Sequence, residues 1–110
     1  MKHFKFQGYN LYLGESALEN DKLVSHAEPD DMWFHLHGKS SPHLILVNRY
    51  DTSLSQEVIQ FACKQVRLHS KEKNKSNVKV DLIYRKYIKT TKIPGKVQLL
   101  KKPQTIHLKE

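Results

Sequence analysis

The chain of 110 residues has room for one domain and not for two, because single hydrophobic cores usually occupy about 100 to 200 residues. Apolar residues make up 38% and charged residues 27%, which supports a small packed core, argues against disorder throughout, and leaves no run near the roughly 20 apolar residues of a membrane span. The formal net charge of +8 is polarised: residues 1–55 hold five Lys/Arg against seven Asp/Glu, whereas residues 56–110 hold fourteen against four. The C-terminal half is therefore the expected contact surface for a polyanion, with a merely solubilising basic face as the competing explanation. The start lacks an apolar signal core, and the lone Cys63 has no partner for an internal disulfide. A soluble cytoplasmic protein without membrane association is expected.

Phe4 and Phe6, then Tyr9, Leu11 and Leu13, alternate about a turn at Gly8 and predict a hairpin or two short strands that end at Gly14. Ser16 or Asn20 caps a short helix over about 20–27, with Leu23, Val24 and Ala27 as its apolar stripe before Pro29. In the strand predicted over 32–37, Met32, Phe34 and Leu36 share one face, and Trp33, His35 and His37 share the other. A loop over 38–42 leads into the apolar run 43–47, which reads as a central strand. Thr52 or Ser53 caps the main helix over about 53–68; Ser53 with Gln56 fits a capping box, and Val58, Phe61, Ala62, Gln65 and Val66 face inward. The polar stretch 69–77 is an exposed loop.

Val78, Val80, Leu82 and Tyr84 alternate with Lys79, Asp81, Ile83 and Arg85, which predicts a strand over about 78–86 that buries Tyr84. Pro94-Gly95 marks a turn, and Val97 to Leu100 with Thr105 to Leu108 read as a closing pair of strands. The fold class is α+β: a small, mostly antiparallel or mixed sheet packed against the main helix and the short helix. Strand order and oligomeric state are not encoded in these local patterns.

Three features carry chemistry. His35, His37 and His43 would converge if their strands pair; they fit a zinc site, a structural hydrogen-bonded cluster with Ser41, or a phosphate or base contact. No Cys or carboxylate stands at a diagnostic ligand interval, so neither a metal nor a cofactor is expected. Trp33 is either core or a stacking platform, and Tyr87, among Arg85, Lys86 and Lys89, is the better stacking candidate on a nucleic-acid surface. Lys71, Lys73 and Lys75 form a basic finger that follows a phosphate backbone without reading sequence, or else a solubilising loop. A Ser41–His43 nucleophile pair oriented by Asp31 lacks any elbow context, and a ribonuclease using His35 and His43 is the weaker enzymatic alternative. No catalytic residue is assigned.

Asn20-Asp21, Asp31-Met32-Trp33-Phe34-His35, Ser41-Pro42-His43, Val78-Lys79-Val80-Asp81 and Pro94-Gly95-Lys96-Val97 together resemble the NFACT-R domain, formerly a domain of unknown function. Such domains occur in ribosome quality-control factors related to nuclear export mediator factor and in bacterial fibronectin-binding-like proteins. The resemblance covers nearly the whole chain, read as a single stand-alone domain over 1–110, with Asp31, Trp33, Phe34, His35, Ser41 and His43 as its motif. It implies an RNA-binding module, associated through larger members with the large ribosomal subunit and peptidyl-tRNA. Leu13-Gly14-Glu15-Ser16 stands where many members have a basic VGRN-like sequence, and the tRNA-handling module and coiled coil of larger members have no counterpart here, so C-terminal tailing by this chain alone is not expected.

The combined expectation is a non-catalytic RNA-binding module with ribosomal RNA or tRNA as partner. Lys39, Lys71, Lys73, Lys75, Arg85, Lys86, Tyr87, Lys92 and Lys96 form its contact surface. DNA would be gripped by the same lysines, and the competing class is an adaptor for acidic proteins.

Overall fold

The computed structural model describes residues 1–49 and 53–109. Strands β1 (Lys2–Phe6) and β2 (Tyr9–Leu13) form an antiparallel hairpin. Gln7 and Gly8 both take positive φ, +49° and +83°, the geometry whose twist matches a two-residue hairpin turn. Helix α1 spans Ala17–His26, with the Glu19 N–H donating to the Ser16 hydroxyl at 3.2 Å. It starts earlier than the predicted 20–27, because Ser16 is the cap and Asn20 is buried inside the helix.

Strands β3 (Met32–Leu36) and β4 (Leu44–Leu46) pair antiparallel across the 37–43 loop, and helix α2 spans Gln56–Leu68. The Val58 N–H donates to Ser55 Oγ at 3.2 Å, so the cap is Ser55 and the expected Ser53–Gln56 box does not form. With Ser55 as cap, the flanking Leu54 and Ile59 both pack on the core, the arrangement of a hydrophobic staple. The alternative cap, Thr52, lies outside the described residues.

Strand β5 (Val78–Tyr84) runs into a 3-10 turn (Arg85–Tyr87), followed by β6 (Ile88–Thr90), β7 (Val97–Leu99) and β8 (Gln104–Leu108). The main sheet is antiparallel throughout, in the order β1-β2-β4-β3-β5-β8, and the fold is α+β. The predicted closing pair does not exist. β7 pairs with β6 in a separate two-stranded sheet, while β8 hydrogen-bonds along β5 and satisfies the backbone groups of that otherwise open edge.

Both faces of the main sheet are covered. Leu11, Leu13, Phe34, Leu44, Leu46 and Val80 meet Val58, Ala62 and Val66 of α2 on one face. Trp33, Ile45 and Ile83 meet Leu23 and Val24 of α1 and Ile88 on the other. This second layer explains why β5 is buried at Ile83 as well as at Leu82. Tyr84, expected inside, is 39% exposed: it ends the strand, outside the core beneath α2, where the chain leaves the sheet. No helix among the described residues is long and apolar enough to cross a membrane.

Candidate nucleic-acid interface

The segment 31–43 is built from alternating commitments. Asp31, buried at the start of β3, accepts the Glu28 N–H at 2.8 Å through Oδ2, and the Asn48 N–H at 2.8 Å through Oδ1. Its carboxylate also pairs with the Arg49 guanidinium. This ties the turn before β3 to the segment after β4, the use expected of a carboxylate taken out of water. Phe34 points into the α2 core.

Trp33, 3% exposed, points to the α1 face, where its indole N–H donates to His43 Nδ1 at 3.1 Å. Nε2 of His43 therefore carries the proton, and the ring lies against the Gly95 backbone. Burial first, then the neighbouring His35, pushes the His43 pKa down to about 3, so the ring stays neutral. His35 lies parallel to Trp33, with ring centroids 5.4 Å apart, and edge-on to His43 at 4.9 Å. Its Nδ1–H donates to the Leu36 carbonyl at 2.7 Å, and burial lowers its pKa although that carbonyl and Asp81 oppose the shift. His37 instead turns to Asp81, at 3.0 Å. The three imidazoles do not converge on one point, and no group of three His, Cys, Asp or Glu able to hold a metal occurs among the described residues.

Ser41 Oγ accepts the Leu36 N–H at 3.1 Å and donates to the Pro42 carbonyl at 2.9 Å. The hydroxyl that would have been a nucleophile thus closes the β3–β4 loop, and Asp31 is engaged with Arg49. Asn20, first read as a helix cap, accepts the His43 backbone N–H at 3.2 Å through Oδ1. Gly14 makes that approach possible, since a Cβ there would sit 2.2 Å from Asn20 Oδ1. Asp21 accepts the Gly95 N–H at 3.3 Å, and Gly95, at φ +79°, lies against Ala17. Asn20-Asp21 and Pro94-Gly95 belonged to the recognised pattern, but their mutual contact is not marked by any local spacing.

These contacts surround an open cleft of about 480 Å³. His35 and His43, Ser41, and the lysines Lys71 and Lys96 all line it. Lys71 comes from the loop after α2, Lys96 from the connection between β6 and β7. Neither ammonium has an ion-pair partner among the described residues, and Glu15, which also lines the cleft, pairs with the N-terminus at 3.2 Å and with Lys2.

The other candidate cations divide. Lys73, Lys75 and Lys92 are exposed, Lys73 beside Lys64 and Arg67 of α2. Lys39 is paired with Glu72 at 2.7 Å, and Lys86 with Asp30 at 3.4 Å. Lys86 also lies over the rings of Tyr84 and Tyr87, and Lys101, which sequence reasoning passed over, lies 4.8 Å from the Tyr87 centroid. Tyr87 is half-buried against the α1-side core, so the more exposed ring is Tyr84. Arg85 is spent on structure: Nε donates to the Val24 carbonyl at 2.6 Å and Nη1 to that of Ile88 at 2.7 Å, joining α1 to β6.

The family model of the NFACT protein RNA binding domain matches residues 2–105, and the chain belongs to that family. A coiled-coil domain-containing protein 25 homolog of Dictyostelium discoideum is 28% identical over 90 residues, 79% of this chain and 43% of that protein. Coiled-coil domain-containing protein 25 of Bos taurus is 40% identical over 38 residues, 34% of this chain and 18% of its own length. The chain thus spans less than half of these curated relatives. In fold it is similar to the C-terminal region of the fibronectin/fibrinogen-binding protein from Streptococcus suis, with a TM-score of 0.85 and 24% identity over 96% of this chain and 43% of that one.

Proposed function

We propose that the chain is a non-catalytic RNA-binding module acting in the cytoplasm on ribosomal RNA or tRNA, with the large ribosomal subunit as the setting. The observation that carries this reading is the pair of unneutralised lysines, Lys71 and Lys96, at a cleft that His35, Ser41 and His43 also line, in a chain of the NFACT RNA binding domain family. Lys73, Lys75 and Lys92 extend the surface, and polyanion binding gains free energy when such cations displace counterions. The non-catalytic reading is supported by His43, whose Nδ1 is occupied by Trp33 and whose low pKa removes it from acid–base work near neutrality.

The test is titration of a labelled tRNA or ribosomal RNA hairpin at several salt concentrations, together with crosslinked pull-down. Five phosphate contacts, one for each of these lysines, predict roughly a 500-fold loss of affinity between about 50 and 200 mM salt. Removing one lysine should weaken binding to all sequences alike. Recovery of acidic proteins without RNA, and no affinity for structured RNA at moderate salt, would replace the module by an adaptor.

A further inference from the structure

The cleft has a more specific chemistry than a basic surface. Its volume of about 480 Å³ lies within the range that encloses a small ligand and is too small for a duplex. Part of the lining is apolar: Pro42 from the β3–β4 loop and Ile93 and Pro94 from the β6–β7 connection contribute to it, and Ile93 is 57% exposed. The two lysines supply positive charge without internal neutralisation. His35 supplies the third element. Its Nδ1 proton is held by the Leu36 carbonyl, so in the neutral ring Nε2 is a hydrogen-bond acceptor, and that atom has no partner among the described residues. The stacked Trp33 and edge-on His43 leave the ring little freedom to turn.

Apolar lining, two cations and the unpartnered acceptor of His35, with the Glu15 carboxylate of the lining already paired to the N-terminus, match the sugar-phosphate of one nucleotide, whose 2′-hydroxyl is a donor that DNA lacks. We propose that this cleft is a pocket for one unpaired ribonucleotide, its phosphate held by Lys71 and Lys96 and its 2′-hydroxyl donating to Nε2 of His35. The proposal rests on the RNA-binding reading and sharpens it: the lysines supply grip, and His35 distinguishes RNA from DNA.

The experiment uses a labelled RNA hairpin with a short single-stranded 3′ tail, made either as ribonucleotides or with the tail alone 2′-deoxy. The full chain should bind the ribo-tailed hairpin roughly three- to tenfold more tightly, the factor contributed by one neutral hydrogen bond. His35→Phe, which keeps a ring against Trp33 without the acceptor, should bring that ratio close to one. Lys71→Gln and Lys96→Gln should weaken both hairpins equally. Partial unfolding of a variant lowers the active fraction for both ligands alike, so the ratio isolates the hydroxyl contact. Equal affinity of the unaltered chain for the two tails, or a ratio that survives His35→Phe, overturns the pocket while leaving RNA binding intact. Failure to bind either hairpin at moderate salt overturns both.

Discussion

The two faces of the main sheet are built on different principles. Beneath α2 the contact is almost wholly carbon on carbon: Phe34, Leu11, Leu36, Leu44 and Val80 against Val58, Ala62 and Val66. Even the Cys63 thiol, pushed up to about 12 by burial, behaves there as a small apolar group. Beneath α1 the apolar residues Trp33, Ile45 and Ile83 share the layer with Asn20 and His43, whose hydrogen bonds have directions. Apolar burial is non-directional and supplies stability, whereas directional bonds determine where individual atoms sit. The cleft joins residues of that second face, Asn20, His35 and His43, to the loop that follows α2.

The largest expected effect tests the α2 face: Phe34→Ala should cost about 3–5 kcal/mol in urea unfolding, because it opens a cavity in a fully buried core. Trp33→Phe on the opposite face should cost less, about 1–2 kcal/mol, while releasing His43 and disturbing ligand binding. A reversal of that order would break the comparison. Asp31→Ala strips two backbone N–H groups of their acceptor and should cost about 2–4 kcal/mol, readable as a lowered midpoint in the same titration. Gly14→Ala drives a methyl into the Asn20 amide, and calorimetry should show about 1–3 kcal/mol lost.

Acid should act through the α1 face. The folded His43 pKa of about 3 lies below its ordinary 6.5, so the unfolded chain binds a proton that the folded chain does not. That contribution to stability is complete above about pH 6.5 and declines as pH falls from there toward 3. His35, also lowered by burial, acts in the same direction. The slope for one such proton approaches about 1.4 kcal/mol per pH unit. Unfolding measured from pH 7 to 5 should therefore show a shallower decline in His43→Phe than in the parent; equal slopes would remove His43 from the account. The smallest effect is expected at the surface pair: Lys39→Gln should change stability by no more than about 0.5 kcal/mol in thermal melts, since most of the lysine side chain is in water.

Much of the fold was legible. Alternation in 32–36 and 78–82 places Phe34, Leu36, Val80 and Leu82 on one face, as found, because strand periodicity is a property of each strand alone. The failures came where the partner decides. Residues 97–99 and 104–108 read as a hairpin by proximity, yet β6 and β5 claim them separately. Tyr84 continues the buried alternation of β5 but ends the strand beyond the covered core. Asn20, Ser16, Ser53 and Ser55 are all chemically able to cap, and packing on the sheet selected Ser16 and Ser55.

The candidate surface divides in the same way. Charge counting placed the cations in the C-terminal half but could not separate Lys71 and Lys96 from Lys39 and Lys86, which carboxylates engage, or from Arg85, which backbone carbonyls engage. By itself the sequence determined most of the element types and of the inward faces of the strands, though not β6, the 3-10 turn at 85–87 or the exposure of Tyr84, and it determined the polarised charge and the family pattern, because these depend on residues a few positions apart. The tertiary structure alone decided that His35, Lys71 and Lys96 share one cleft and that Asn20 and Gly95 brace His43. Those residues lie on segments whose meeting depends on long-range packing, which no local period records.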